Sequence, residues 1–179
     1  MKGVFAVVTL VLFAASSGFG QDAPRFEIYG GGAFLRDPDD FNRWGWVASF
    51  AGNMNEWFGI KGEVAGYYND GDTVHTFLGG PQFTLRKSAR IQPWAHFLAG
   101  LQHNDVSVFH ILQPGGGALP FPRIVYQSTH FTWQPGGGVD VSLSRRVGLR
   151  FGMDYVRAMR DFRDVDHYRA HAGVVFKIP

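Results

Sequence analysis

"VGLRFGMDYV", residues 147–156, changes character at almost every step. Val147, Leu149, Phe151, Met153 and Tyr155 share one parity, and Gly148, Arg150, Gly152 and Asp154 share the other. A side-chain period of two predicts a β-strand with one apolar and one polar face. In a water-soluble barrel the apolar face is the core. In a membrane barrel it meets lipid, while charges and glycines point inward. Which face is inside therefore decides both the environment of the chain and its function.

The same pattern recurs along the chain. Stretches of period two cover Phe26–Leu35, Trp44–Asn53, Trp57–Tyr68, Val74–Arg86, Ile91–His103, Ser128–Leu143, Val147–Arg160 and Val165–Ile178. Short connections (Asn53–Glu56, Lys87–Arg90, Ser144–Arg146) alternate with longer ones, of which residues 104–127 are the longest. That alternation predicts an all-β chain: an eight-stranded antiparallel up-and-down barrel with tight turns on one rim and long loops on the other. Several strands exceed ten residues. That is nearer the about 9–11 of a tilted membrane strand than the about 5–6 of a globular one. No segment beyond residue 20 carries a helical period, and no linker marks off a second domain.

Alternation alone does not say which face is inside, but three features do. The apolar face carries many Phe, Leu and Trp residues, which would overpack the interior of only eight strands. The opposite face is rich in mixed charges and glycines. Lys61 with Glu63 and Asp154 with Arg150 fall on it as opposite charges, along with Arg169 and His171, which suits a narrow, ion-paired lumen. With the Asp161–Asp164 loop as a hairpin tip, Asp154 is expected to lie across from His171. Finally, Trp44, Trp57, Tyr67, Tyr68, Trp133, Tyr155 and Tyr168 sit near strand ends, where amphipathic rings suit headgroup depth. The expected environment is an outer membrane. A soluble, secreted, lipocalin-like ligand-binding barrel is the inverted alternative.

Residues 1–20 are of another kind: one lysine, an apolar run from Val4 to Ala15, then small residues up to Gly20. This is the layout of a secretory signal peptide cleaved after Gly20, leaving 21–179 as the barrel domain. The absence of cysteine excludes disulfides, thiolate metal sites, a Cys nucleophile and a lipoprotein anchor. A formal charge of +2 with scattered Lys and Arg gives no surface for nucleic acid.

No catalytic, metal or cofactor site is expected. His96, His130, His167 and His171 share the polar parity, and Asp105, Asp164 and Asp166 lie near the loop rim. Yet His167 and His171 in "HYRAH" stand about 13 Å apart along a strand, too far for one metal. Ser128, His130 and Asp164, or Asp70, Asp72 and His103, group only by choice, and G-x-S-x-G is absent. The unusual segment is "QPGGGALPFP" (113–122). No helix follows it to make a phosphate cradle. With Phe109, Ile111, Leu112 and Phe121 it reads as a contact surface for an unknown partner.

"GGGVDVSLSRRVGLRFGMDY" (136–155), "WFGIKGEVAGYY" (57–68) and "IQPWAHFLAGLQ" (91–102) resemble the small OmpA-like outer-membrane barrels, including the OmpX-type and opacity proteins. The resemblance covers residues 25–179. It implies a barrel inserted by the outer-membrane assembly machinery, with both termini in the periplasm and lipid around it. It also implies a role in envelope integrity, adhesion or surface interaction, with a narrow porin-like channel as the alternative. Such barrels usually end in an aromatic residue, whereas this chain ends "VVFKIP".

Overall fold

The computed structural model describes residues 24–36, 42–69, 72–108, 124–159 and 164–179. The signal segment 1–20 and the loop residues Phe109, Ile111, Leu112 and Phe121 lie outside these. Eight strands follow in chain order: β1 (Phe26–Arg36), β2 (Arg43–Asn53), β3 (Phe58–Asn69), β4 (Asp72–Thr84), β5 (Ile91–Val108), β6 (Ile124–Ser142), β7 (Val147–Met159) and β8 (Val165–Ile178). Each pairs antiparallel with its chain neighbours, and β1 pairs with β8 to close the barrel. Closure gives every strand a neighbour on both sides, as an extended chain in lipid needs.

The three short turns share one construction. Asn55 Oδ1 accepts the N–H groups of Trp57 and Phe58 at 3.0 and 2.7 Å. Ser88 Oγ accepts those of Arg90 and Ile91, and Ser144 Oγ those of Arg146 and Val147. A short polar side chain thus completes each turn locally. At the other end β5 and β6 run further than the alternation implies, pairing up to Val108 with Ile124. The expected 104–127 loop is shortened accordingly. Because β6 meets β7 only from Phe131 onward, residues 124–130 pair with β5 alone. The β5–β6 hairpin therefore outruns β7 at the loop rim, while β4 accompanies β5 as far as Val106. Among the described residues, pairing within the ladders lapses only beside Pro81 and Pro135, between β4 and β5 and between β6 and β7, where the backbone lacks an N–H.

Alternation divides the side chains as the parity argument requires. On β5, Ile91, Pro93, Ala95, Phe97, Ala99 and Leu101 point outward before polar His103 and Asp105 appear. Ten steps at about 3.3 Å, tilted about 40°, give an apolar band about 25 Å tall, matching a membrane's hydrocarbon zone. Phe97 stacks on Trp133, and Trp133, Tyr155 and Tyr168 follow in tilted and edge-on contacts around the loop end of this band, with ring centroids 5.6–6.0 Å apart. Tyr67 is a correction to the rim assignment. It is 2% exposed and points inward, as its shared parity with Lys61 and Glu63 dictates.

The interior differs from a purely polar lumen. Leu35, Val47, Ala65, Tyr67, Val74 and Val156 belong to a buried apolar cluster inside the barrel. Glycine makes room for the large inward groups. A Cβ at Gly136 would collide with the Asp154 carboxylate, and one at Gly152 with the His171 ring and, at 2.8 Å, with Trp94.

Candidate functional site

Two charged layers cross the lumen. In the layer nearer the short turns, Arg150 of β7 grips Asp140 of β6 with two bonds of 2.7 Å, from Nε and Nη2. Its Nη2 also donates to Glu27 of β1 at 2.8 Å. Glu27 further accepts from Arg86 at 2.7 Å and Asn53 at 3.2 Å. The sequence pattern joins Arg150 to Asp154. The fold instead gives Arg150 the carboxylates of Asp140 and Glu27, because Asp140 is its direct cross-strand partner.

In the second layer, Arg169 of β8 bridges two strands. Its Nη1 meets Glu63 of β3 at 2.6 Å, and its Nε and Nη2 meet Asp154 of β7 at 2.7 and 2.6 Å. Glu63 also takes Lys61 Nζ at 2.7 Å and Gln134 Nε2 at 3.0 Å. Asp154 lies opposite Arg169 in the ladder, not opposite His171, which faces Gly152. The expected pairing is two residues out of register, so every face is retained. His171 Nε2 still reaches Asp154 at 3.4 Å.

Hydrogen-bond roles follow from donor counts. An ammonium only donates, so Lys61 Nζ, 3.2 Å from His96 Nδ1, makes that nitrogen the acceptor. The ring proton then sits on Nε2, 2.9 Å from Asp154 Oδ1. Tyr29 links to His171 Nδ1 at 2.8 Å.

Aromatic rings fill the space between the layers. The Arg150 guanidinium lies 5.2 Å from the Trp94 ring and 5.5 Å from Tyr29, while Lys61 Nζ lies 5.4 Å from Trp94. Cations held against a desolvated indole gain from the ring quadrupole. Lys61, Glu63, Arg150, Asp154, Arg169 and His171 are thus all buried, with Arg150 and Arg169 at most 1% exposed. The network also takes in Glu27, His96, Gln134 and Asp140, which share its polar parity, together with Trp94 and Tyr29, which the sequence argument does not assign to it. Among the described residues, no group of three or more His, Asp or Glu is arranged to hold a metal ion.

Outside the apolar band, Arg157 pairs with Asp164 at 2.7 Å on the loop rim. That carboxylate raises the guanidinium further above its ordinary pKa.

No protein-family model and no curated protein matches the chain. Solved structures do. Neisserial surface protein A matches with a TM-score of 0.69 at 14% identity, over 88% of this chain and 100% of that one. The outer membrane protein OprG from Pseudomonas aeruginosa matches with a TM-score of 0.56 at 10% identity, over 90% and 99%. Ail, the attachment invasion locus protein of Yersinia pestis, matches with a TM-score of 0.52 at 13% identity, over 84% and 96%. The chain has the fold of the small OmpA/OmpX-like outer-membrane β-barrels. The two charged layers fill the interior of this barrel, and its outer face is rich in Phe and Leu.

Proposed function

We propose that the protein is an integral barrel of a Gram-negative-type outer membrane, directed there by residues 1–20 and inserted by the assembly machinery. Its short turns face the periplasm and its long loops face outward. It works as a structural or surface-interaction protein rather than as a pore or an enzyme. The observation that carries this reading is the filled lumen. Glu27, Asp140 and Arg150, then Trp94 and Tyr29, then Glu63, Asp154 and Arg169 obstruct the axis in succession, with apolar Leu35, Val74 and Val156 nearer the loops. A channel would need these paired charges to separate, at a cost of several kcal/mol each.

The long β5–β6 hairpin supports an interaction role. The sequence that joins its two strands, with Phe109, Ile111, Leu112 and Phe121, is the contact surface this reading assigns. Two of the similar structures are described as a surface protein and an attachment protein, which makes the reading economical.

Planar-bilayer recording of the refolded protein tests it. The reading expects no steady conductance, and no opening when Lys61 is changed to Gln. A steady, reproducible conductance that falls in Lys61→Gln or Arg169→Gln would instead make the protein a narrow channel.

A further inference from the structure

The short-turn mouth of the barrel opens on a cavity of about 760 Å³ whose lining includes Arg86, Arg90, Arg145, Arg146 and Lys177. Among the described residues no Asp or Glu side chain lines it, although Pro24 and Pro179 do. The shared turn construction builds it. Ser88 and Ser144 each fix an arginine, Arg90 and Arg146, two positions onward. The third turn has Trp57 in the equivalent place. The backbones of these turns are tied to the wall, since the Arg90 carbonyl accepts from the Ser142 N–H at 2.8 Å and the Arg146 carbonyl from the Lys177 N–H at 2.7 Å. The arginines therefore stand on a fixed frame.

Lys177 supplies the observation that points to a ligand. It is only 7% exposed, and its Nζ donates to Gln92 Oε1 at 2.7 Å and Ser142 Oγ at 3.0 Å, both neutral. Lys61, Arg150 and Arg169, the other deeply buried cations among the described residues, each touch a carboxylate. Lys177 has none within ion-pair distance among the described residues. Beside it, the Arg86 guanidinium is already matched by Glu27 at 2.7 Å, so Lys177 is the cation left with neutral partners. An unmatched buried cation is unfavourable on its own, and a multiply charged oxyanion removes that cost. Arginine forks and a lysine suit phosphate oxygens in particular.

We propose that this mouth binds a phosphate-bearing anion, either free in the aqueous phase or as a lipid headgroup reaching the rim. The proposal does not need the lumen to be closed. Only the compartment that supplies the ligand rests on the insertion reading.

The test uses the full folded chain in neutral-detergent micelles, titrated calorimetrically with pyrophosphate, alongside Lys177→Gln and the double variant Arg90→Gln/Arg146→Gln. Heat-modifiable gel mobility verifies that each variant folds. One saturable site is expected, weakened about tenfold or more in each variant, since each variant loses charge-assisted hydrogen bonds to the anion. A second arm compares retention of phosphatidylglycerol with phosphatidylcholine in mixed micelles. Selective phosphatidylglycerol retention, lost in the same variants, would assign the site to a headgroup even if pyrophosphate does not bind. Binding of neither probe, binding unchanged in both variants, or binding of an acidic peptide alone would overturn the proposal.

Discussion

Arg169 joins Glu63 and Asp154, two carboxylates on separate strands that are otherwise held only by Lys61, histidines and Gln134. Removing a shared cation leaves buried charge unmatched, so Arg169→Met should destabilise the barrel by about 3–5 kcal/mol. Urea unfolding in detergent, followed by gel mobility, measures this. A loss under about 1 kcal/mol would mean that water already reaches these groups. The residues of this network were legible because inwardness follows parity alone: Lys61, Glu63, Arg150, Asp154, Arg169 and His171 could each be placed inside. Trp94 shares parity with Gln92 and His96, and Tyr67 with Glu63, so both were equally readable. For Tyr67, the pull of rings toward a headgroup belt competes with parity, and parity wins. Who pairs with whom was not readable. Glu27 and Arg150 meet across 123 residues of chain, and that contact exists only after closure.

At the scale of a strand, β7 answers the question posed by its own sequence. Leu149, Phe151 and Met153 point out, while Arg150 and Asp154 point in. Phe151 sits at the middle of the outward run from Val147 to Tyr155. Phe151→Arg should therefore cost about 2–4 kcal/mol in a lipid bilayer, whereas Leu143→Arg at the turn rim should cost about 0–1. Equal costs at the two sites would contradict the band drawn from β5. Strand existence and faces were legible because the period is sustained over ten or more residues. Strand ends were not. The β5–β6 hairpin runs past its expected limits because pairing between two strands continues wherever the backbone allows, without needing an apolar face to announce it. The β7–β8 register differs by two for a related reason, since an even shift leaves every side chain on its face and so escapes a parity argument.

The whole molecule is an inversion of a soluble protein: large apolar side chains outside, with ions, histidines and a tryptophan inside. That arrangement depends on lipid, since a continuous apolar band around the wall would not persist in water. Phe50, Phe77, Phe97 and Phe151 alone are each 46% exposed or more. The five tryptophans give the direct test, because Trp94 is buried in the lumen and Trp46 is exposed on the outer wall. Two single-tryptophan proteins, one keeping Trp94 and one keeping Trp46 with the others changed to Phe, would be refolded into bilayers of brominated phospholipid. The account predicts strong quenching of Trp46 fluorescence and little of Trp94. Quenching of Trp94 with Trp46 spared, or of neither, would contradict it.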